Sequence, residues 1–384
     1  MNYFSSDFKL GILGGGQLGK MLLYETRKLD IYTKILEPSS EAPSKIACNE
    51  FFIGNLLDFD AVYNFGKTVD ILTIEIERVN LDALEKLEDE GVKVYPPTKA
   101  LRTIQNKATQ KLFYVDSNIP TAPFSRFAYT TQINDSITNG GLSFPFVWKC
   151  AQFGYDGQGV KVIRKIEDLD GLPNVECIAE DMIPFKNELA VIVVRSASGQ
   201  VVTYPVVEME FHPEANQVEY VICPARISDE VATKAQEIAL QVSDKIQQVG
   251  ILAVEMFQTE DDTILVNEVA PRPHNSGHYS IEASYTNQFE QHIRAILDLP
   301  LGNTASKVAG IMVNLVGAEG YTGDVVYENM EEILKLDGVT PHIYGKNQTR
   351  PFRKMGHVTI VNEDIATARK IAEQVKNTIK VISK

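Results

Sequence analysis

The sequence predicts a fold of mixed class, α/β in its first third and α+β in the remainder. From KLGIL to about residue 116, strands and helices alternate, which is typical of a doubly wound parallel sheet. From about residue 121, short β-branched runs with hairpin spacing favour an antiparallel sheet. We therefore expect an N-terminal Rossmann-like domain (1–120), a middle α+β domain of two subdomains (121–300) and a small β-rich C-terminal domain (301–384).

The N-terminal elements follow one another at short intervals. Strands are predicted at KLGIL, IYTKILE, DILTIE and VKVYP, and helices at about 17–29, 81–90 and 98–116. The turn GGGQLG follows the first strand and opens the first helix, which matches the dinucleotide-binding pattern. Glycines at this position can equally admit another phosphate at a helix N-terminus, or serve only a tight turn. The sequence alone leaves these alternatives open.

The later elements begin after Pro120 and Pro123, which mark a linker. Strands are predicted at FPFVWKC, VKVIRK, VECIAED, ELAVIVVRS and VVTYPVVEMEF, followed by a helix at about 229–248. A hairpin comes next, then a helix at about 285–297. After Pro300, the segments KVAGIMVNLVG, PHIYGK and MGHVTIVN are predicted strands.

The hairpin ILAVEMFQTEDDTILVNE contains the most informative pair of residues in the chain. A two-residue turn at Asp261 and Asp262 would place Glu255 directly opposite Glu268. Alternation would put Ala253, Phe257, Ile264 and Val266 on the same face as the two glutamates. Directly opposed like charges on adjacent strands are destabilising, so this arrangement predicts a divalent cation, Mg2+, between the carboxylates. A solvated sheet face or a different register would be the alternative.

A second candidate site surrounds the glycine-rich segment AQFGYDGQGV, which follows Lys149 at the end of a strand. A strand, glycine loop and strand can fold over nucleotide phosphates, to which Lys149 would supply a positive charge. No Walker-type GxxxxGK[ST] pattern occurs in the chain. Further on, the crossover between Glu180 and Glu188 could present backbone groups to an adenine edge and a carboxylate to ribose hydroxyls. Two exposed acids at strand ends would be the simpler interpretation of that crossover.

Composition excludes several functional classes. The net charge of −14 over 384 residues argues against general nucleic-acid binding, which requires a basic face. The four cysteines are widely spaced and form no metal-ligand pattern, which fits a reducing compartment. We find neither a signal peptide nor an apolar segment of about 20 residues, and we therefore expect a cytoplasmic protein without a membrane span.

Taken in order, Lys149, YDGQG, the crossover, Glu255 and NEVAPRPHNSGH resemble the ATP-grasp superfamily, whose members activate a carboxylate as an acyl phosphate and pass it to an amine. Together with GGGQLGKM, TIEIERV and the late YGKNQTRPFRKMGH, they resemble the 5-(carboxyamino)imidazole ribonucleotide synthetase family of purine biosynthesis. The resemblance spans residues 11–357. It implies an ATP-grasp fold with a Rossmann-like pre-ATP-grasp domain, and a homodimer that uses Mg2+, ATP, bicarbonate and aminoimidazole ribonucleotide.

The resemblance also implies a role for individual residues. Metal binding would fall to Glu255 and Glu268. Catalysis would involve Lys149, Asp156, Arg272, His274 and Asn275. ATP would be bound by Lys107, Lys149, Gly154, Tyr155, Asp156, Gly157, Gln158, Gly159, Val160, Glu180, Asp181, Met182, Ile183, Glu188, His212, Asn267 and Glu268. The ribonucleotide and the reacting carboxyl group would be bound by Gln17, Glu75, Tyr155, Asp156, Arg272, His274, Lys346 and Arg353.

The implied reaction is ATP-dependent carboxylation of the ribonucleotide amine through carboxyphosphate. Asp156 is the first candidate to accept the amine proton, and His274 is the second because its ordinary pKa lies closer to neutrality. Rival hypotheses are another ATP-grasp ligase, such as a formate-using transformylase or a biotin carboxylase, a nicotinamide-dependent oxidoreductase, and a nucleotide-binding regulator without turnover. The late basic segment GKNQTRPFRKMGH favours a phosphorylated acceptor.

Overall fold

The computed structural model describes residues 3–152, 159–212 and 217–384. Within these residues, the first unit is a five-stranded parallel sheet of order β3-β2-β1-β4-β5 flanked by helices, as the alternating pattern predicted. Its strands are β1 Lys9–Leu13, β2 Tyr32–Glu37, β3 Glu50–Ile53, β4 Ile71–Ile74 and β5 Lys93–Tyr95. Its helices are α1 Gln17–Lys28, α2 Phe59–Gly66, α3 Leu81–Asp89, α4 Thr98–Ile104 and α5 Lys107–Asp116.

The helix predicted at 98–116 is in fact two helices, because the chain breaks at Gln105 and Asn106. The Asn106 side chain caps α5 by accepting a 3.0 Å hydrogen bond from the Thr109 amide. Asparagine at a helix N-cap satisfies an amide that has no partner within the helix. The break lets α5 begin at Lys107, whose amide donates to the Ala151 carbonyl at 2.8 Å.

The second unit is a four-stranded antiparallel sheet of order β6-β9-β7-β8 within the described residues. It comprises β6 Phe124–Phe127, β7 Phe146–Cys150, β8 Val160–Ile163 and β9 Cys177–Asp181, with helix α6 Gln132–Thr138. Its core contains Phe146, Trp148 and Ala179, all buried. β7 and β8 border the glycine-rich segment, so Lys149 lies at the base of that segment.

The largest sheet of the described residues has nine strands and is antiparallel, as predicted for the middle region. The part of it before residue 300 comprises β10 Phe185–Arg195, β11 Val201–Thr203, β12 Val207–Phe211, β13 Val218–Cys223, β14 Gly250–Thr259 and β15 Ile264–Ala270. The accompanying helices are α7 Asp229–Ile246, α8 Ser280–Ala283 and α9 Gln288–Ile296. α7 packs on one face of the sheet around Leu189, Val254 and Met256, and α9 packs against α1 of the first unit.

The last segment continues this same sheet. β13 pairs with β16 Ala309–Val316, which pairs in turn with the strand Lys354–Asn362. The remaining elements are β17 Gly323–Glu328, α10 Met330–Ile333, β18 Val339–Ile343, β19 Gln348–Thr349, β20 Lys354–Asn362, α11 Ile365–Thr378 and β21 Lys380–Ser383. The sequence reasoning missed α11, which begins at an Asp364 cap. We retain the division at 120 and 300 as a proposal.

Candidate active site

The glycine turn after β1 closes around a glutamate. Glu75, just beyond β4, accepts hydrogen bonds from the Gly16 amide at 2.7 Å and the Gly19 amide at 2.6 Å, at the N-terminus of α1. Gly14 has φ +97°, and a Cβ built on it would lie 2.5 Å from Glu75 Cγ, so only glycine fits there. The Gly15 amide donates to Glu37 at 2.8 Å. Carboxylates of this chain therefore occupy the amides that a dinucleotide phosphate would need.

The hairpin of β14 and β15 confirms that Glu255 lies opposite Glu268. The predicted two-residue turn is wrong, however, because the Thr259 amide donates to the Thr263 carbonyl and leaves a three-residue turn with Asp262 at φ +63°. A β-bulge between Glu255 and Met256 restores the register. Such turns commonly end in a residue of positive φ.

The bulge also changes which side chains share the glutamate face. Ile264 and Val266 pack with Met256 in the core beneath α7, on the opposite face from the glutamates. Their predicted placement beside Glu255 is therefore wrong, because the extra residue on β15 shifts its alternation by one. Phe257 and Ala253 keep the predicted face, since β14 alternates regularly.

Each glutamate of the pair has its own basic neighbour. Lys107 Nζ donates to Glu268 Oε2, and His274 Nε2 lies 3.2 Å from Glu255 Oε1. Burial, and then repulsion by Glu268, raise the pKa of Glu255, whereas Lys107 and Lys149 outweigh burial and lower the pKa of Glu268. Among the described residues, no group of three or more His, Cys, Asp or Glu is arranged to hold a metal ion. The protein thus offers a metal two carboxylates, and phosphate oxygens and water would complete the usual shell of Mg2+.

A cluster of lysines lies beside this pair. Lys149 Nζ is 2.6 Å from Glu180 Oε2 and donates to Asn267 Oδ1 at 2.8 Å. Lys111 Nζ is 2.9 Å from the other oxygen of Glu180. Glu180 is only 3% exposed, so the interpretation of this residue as an exposed acid at a strand end is wrong. These residues line one small pocket, together with Lys107 and Glu268.

A cavity of about 940 Å3 adjoins the pair and the lysines, and all three proposed domains contribute to it. Of the predicted site residues, those that line it are Gln17, Glu75, Lys107, Glu255, Glu268, Arg272, His274 and Asn275. Arg272 Nε lies 2.9 Å from Glu77 Oε1, which joins the loop after β15 to the first unit. Asn275 and Asn314 of β16 exchange hydrogen bonds of 3.0 and 2.8 Å.

The predicted adenine and ribose contacts lie on β9, β10 and the crossover between them. Asp181 and Met182 are exposed, Ile183 is partly buried, and the Asp181 amide donates to the Pro123 carbonyl at 2.9 Å. Glu188 is on β10, where burial raises its pKa to about 7. β10 starts at Phe185, so Glu188 lies within the strand rather than near its start.

Some predicted residues lie elsewhere. Lys346 donates to the Lys354 carbonyl at 2.7 Å and Arg353 to the Gln348 carbonyl at 2.6 Å, and neither is among the described residues that line the cavity. His212 lies with its ring centroid 5.8 Å from that of Phe352. Val160 is the first residue of β8, and the carbonyl of the preceding Gly159 accepts a hydrogen bond from the Cys150 amide at 2.8 Å. Gly154, Tyr155, Asp156, Gly157 and Gln158 lie outside the described residues.

Sequence reasoning missed four residues at the site: Lys111, Glu77, Asn314 and Lys354. Lys111 had a usable signal, because it follows Lys107 by four residues and must share its face of a helix. Lys354 lines the cavity from the same late basic segment as the predicted Lys346 and Arg353. A run of basic residues does not show which of them reaches a site; here Lys354 is the first residue of β20, whereas Lys346 and Arg353 lie in the segments before it.

Family models match three parts of the chain. They are the ribonucleotide synthetase preATP-grasp domain at residues 8–105, the ATP-grasp domain at 112–289 and the phosphoribosylaminoimidazole carboxylase C-terminal domain at 310–371. The N5-carboxyaminoimidazole ribonucleotide synthase of Bacillus subtilis (strain 168) is 37% identical over 360 residues, which cover 92% of this chain and 91% of that protein. The chain belongs to the N5-carboxyaminoimidazole ribonucleotide synthase family.

Solved structures of this family have the same fold. The N5-carboxyaminoimidazole ribonucleotide synthetase of Thermotoga maritima has a TM-score of 0.90 and 39% identity, covering 98% of this chain and all of that one. The Aspergillus clavatus N5-carboxyaminoimidazole synthase in complex with ADP and 5-aminoimidazole ribonucleotide has a TM-score of 0.87 and 33% identity, covering 97% and 98%. The ATP-grasp fold expected from the sequence motifs is confirmed.

Proposed function

We propose that this protein carboxylates 5-aminoimidazole ribonucleotide in purine biosynthesis, using ATP and bicarbonate and releasing ADP and phosphate. The observation that carries the proposal is the opposition of Glu255 and Glu268 beside Lys107 and Lys149, at a cavity that also reaches Glu75 and Arg272. Membership of the synthase family supports the choice of acceptor. A nicotinamide-dependent reaction is disfavoured, because Glu75 and Glu37 occupy the amides of the glycine turn.

ATP would bind between the four-stranded sheet and the hairpin of β14 and β15. Lys107 and Lys149 would contact its phosphates, the crossover from Glu180 to Ile183 would contact adenine, and Glu188 would accept hydrogen bonds from the ribose hydroxyls. Residues 154–160 and His212 are further proposed ATP contacts, as the resemblance implies. Glu255 and Glu268 would hold Mg2+, since two carboxylates on facing strands suit a hard cation. When bound, Mg2+ would neutralise charge on the transferring phosphoryl group.

The first chemical step would form carboxyphosphate. A bicarbonate oxygen attacks the γ-phosphorus, the bond to the β-phosphate bridging oxygen breaks, and ADP leaves. Arg272 lines the large cavity with both glutamates, Lys149 lines the small pocket with Glu268, and the two cations would distribute the negative charge that develops. Asn275 is held by two hydrogen bonds to Asn314, so its amide would present a fixed group to bicarbonate.

The second step would join carbon to nitrogen. The ribonucleotide amine would attack the carboxyl carbon of carboxyphosphate, and phosphate would depart. In the alternative route, carboxyphosphate would first break down to phosphate and carbon dioxide, and the amine would attack the carbon dioxide within the site. The amine proton would pass to Asp156, or to His274, whose Nδ1 lies 2.9 Å from Ser276 Oγ and whose Nε2 faces Glu255. Gln17, Glu75 and Tyr155 would position the ribonucleotide, and its phosphate would meet the late basic segment, with Lys346 and Arg353 as proposed contacts.

We further propose that the protein acts as a homodimer in the cytoplasm, as the family resemblance implies. No described helix combines the length and apolarity that a bilayer crossing demands. Light scattering on the purified chain tests the dimer: a mass of about twice 42.8 kDa is expected, and a monomer at working concentration contradicts it.

ADP release tests the reaction itself. Purified protein with Mg2+ and ATP is assayed with bicarbonate, aminoimidazole ribonucleotide or both. Strong stimulation only by the two together, with a matching carboxylated product, is the expected result. Stimulation by glycinamide ribonucleotide and formate instead would retain the ATP-grasp chemistry and replace the proposed acceptor.

A further inference from the structure

Three charged groups beside the proposed phosphate site form a cluster with an excess of positive charge. Glu180 lies between Lys149, at 2.6 Å from one carboxylate oxygen, and Lys111, at 2.9 Å from the other. One negative and two positive charges leave a net charge of +1. Without Lys111, Lys149 and Glu180 would form a neutral pair, and a neutral pair attracts a phosphate weakly.

The surroundings of Lys111 give this charge an unusually large effect. The side chain is 2% exposed, on the α5 turn after Lys107, and Nζ also donates to Thr121 Oγ1. It lies 5.6 Å from the centroid of the Phe124 ring. Charges interact more strongly where water is excluded. Keeping a lysine at such a position is costly, so its charge calls for an explanation beyond packing.

Lys111 and Lys149 both line the small pocket beside Glu268, and neither is among the described residues that line the large cavity. The Nζ of Lys111 is already bonded to Glu180 and Thr121 and its side chain is 2% exposed, so we expect it to act on a bound nucleotide through Glu180 and Lys149. Within the described residues, Lys149 gives two of its three hydrogen-bond donors to Glu180 and Asn267, so a third donor and its positive charge can serve a ligand.

We propose that Lys111 is a positioning residue for ATP. Lys111 shares the negative charge of Glu180 with Lys149, and so leaves Lys149 able to attract the nucleotide phosphates. This inference rests on the proposed function, because it assumes that Lys149 meets ATP. It concerns the affinity for phosphates and not the carboxylation step.

Substitution of both partners tests the charge balance. Lys111→Met lowers the net charge of the cluster to 0, and the double variant Lys111→Met with Glu180→Gln returns it to +1. We expect Lys111→Met to raise the KM for ATP roughly tenfold or more, with kcat and the KM for the ribonucleotide changed much less. The double variant should bind ATP more tightly than Lys111→Met alone, which a purely structural role of Lys111 does not predict. If Lys111→Met does not fold, Lys111→Gln, which can still bond Thr121, makes the same comparison.

Two controls separate charge from shape. Adenosine, which lacks phosphates, should inhibit competitively with the same Ki in the wild type and in Lys111→Met. Lys34→Met removes another buried lysine, which is paired with Glu50 at 3.1 Å. Neither residue lines the cavity or the small pocket, so this variant should leave the KM for ATP unchanged.

Calorimetric titration with ATP distinguishes failure of this inference from failure of the proposed function. A wild type that binds ATP but does not carboxylate the ribonucleotide would overturn the function and leave the charge comparison measurable. Unchanged ATP affinity in Lys111→Met, or no recovery in the double variant, would overturn the role of Lys111.

Discussion

Glu188 is a partly buried acid whose ionisation depends on its surroundings. Burial raises its pKa from 4.5 to about 7, Lys149 opposes that rise, and Glu268 adds to it. The folded protein therefore holds this proton more tightly than the unfolded chain. The resulting stabilisation is present below about pH 4.5 and is lost as pH rises through about 7.

We expect Glu188→Gln, which does not titrate here, to raise Tm relative to the wild type by a few degrees at pH 8, and by less as pH falls toward 4.5. Thermal denaturation across this range measures the difference. Glu260→Gln, which makes the same substitution at an exposed position in the hairpin turn, is the control. A Glu188→Gln difference that stays constant between pH 5 and 8 would contradict the prediction.

Glu255 and Glu268 are the proposed ligands of Mg2+, and we expect each of them to contribute to the affinity for Mg2+. Replacing either with glutamine removes one anionic ligand, so the Mg2+ concentration for half-maximal ATP turnover should rise about tenfold or more. A Mg2+ titration of activity measures this. The control is Glu282→Gln, which changes a glutamate paired with His342 at 2.8 Å outside the cavity. A lower kcat with an unchanged Mg2+ requirement would argue against metal ligation.

Single residues show how far sequence reasoning reached. Lys149 was predicted because it precedes a glycine-rich loop, and the glutamate pair was predicted because like charges opposed on adjacent strands favour a bound cation. Lys111 was overlooked because a lysine on a helix is usually solvated, and only the fold shows that α5 is covered by Glu180 and Thr121.

Helix α5 begins at Lys107 and carries Lys111 one turn later, so the position of its N-terminus determines where both lysine side chains lie. Asn106 caps it and also donates to Glu176 Oε2 at 2.9 Å. We expect Asn106→Ala to lower the free energy of unfolding by about 1 kcal/mol. It should also raise the KM for ATP, because the first turn of α5 would fray.

The matched control for this cap is Asp58→Ala on α2, where the Asp58 side chain accepts from the Ala61 amide at 2.7 Å. Chemical denaturation and ATP kinetics are measured for both variants. Both should lose similar stability, and only Asn106→Ala should change the KM. Equal KM values in both variants would show that the position of α5 does not depend on its cap.

The hairpin shows why element-scale prediction can succeed locally and fail nearby. The turn was assigned one residue too short and the bulge was not foreseen, and the two errors cancel at Glu255 and Glu268 but not at Ile264 and Val266. Alternation fixes a face only as long as the ladder is regular, and a sequence rarely marks a bulge. Helix α11 was missed although the sequence carries its signals, an Asp364 cap and buried Ala368, Ala372 and Val375 at helical spacing.

At the scale of the whole molecule, the candidate active site includes side chains from the last segment of the chain. β16 pairs with β13, and Tyr220 and Ile222 share a core with Ile311 and Val313. Sequence reasoning predicted strands in residues 301–384 but not that some of them continue the sheet of the middle region, because strand runs do not reveal which sheet they join. Pairing over such a distance is decided by packing between segments that are far apart in sequence.

We therefore expect a chain ending at residue 300 not to fold stably. Its β13 would become an open, apolar sheet edge, and Asn275 would lose both hydrogen bonds to Asn314. Circular dichroism, size-exclusion chromatography and ATP titration of the shortened chain would measure this, and aggregation without ATP binding is the expected outcome. The full chain with Asn314→Leu is the companion variant: it keeps the sheet, so it should fold and bind ATP, but its turnover should fall because Asn275 is no longer held. A soluble, monomeric chain of residues 1–300 that binds ATP would show instead that the sheet is complete without its last strands.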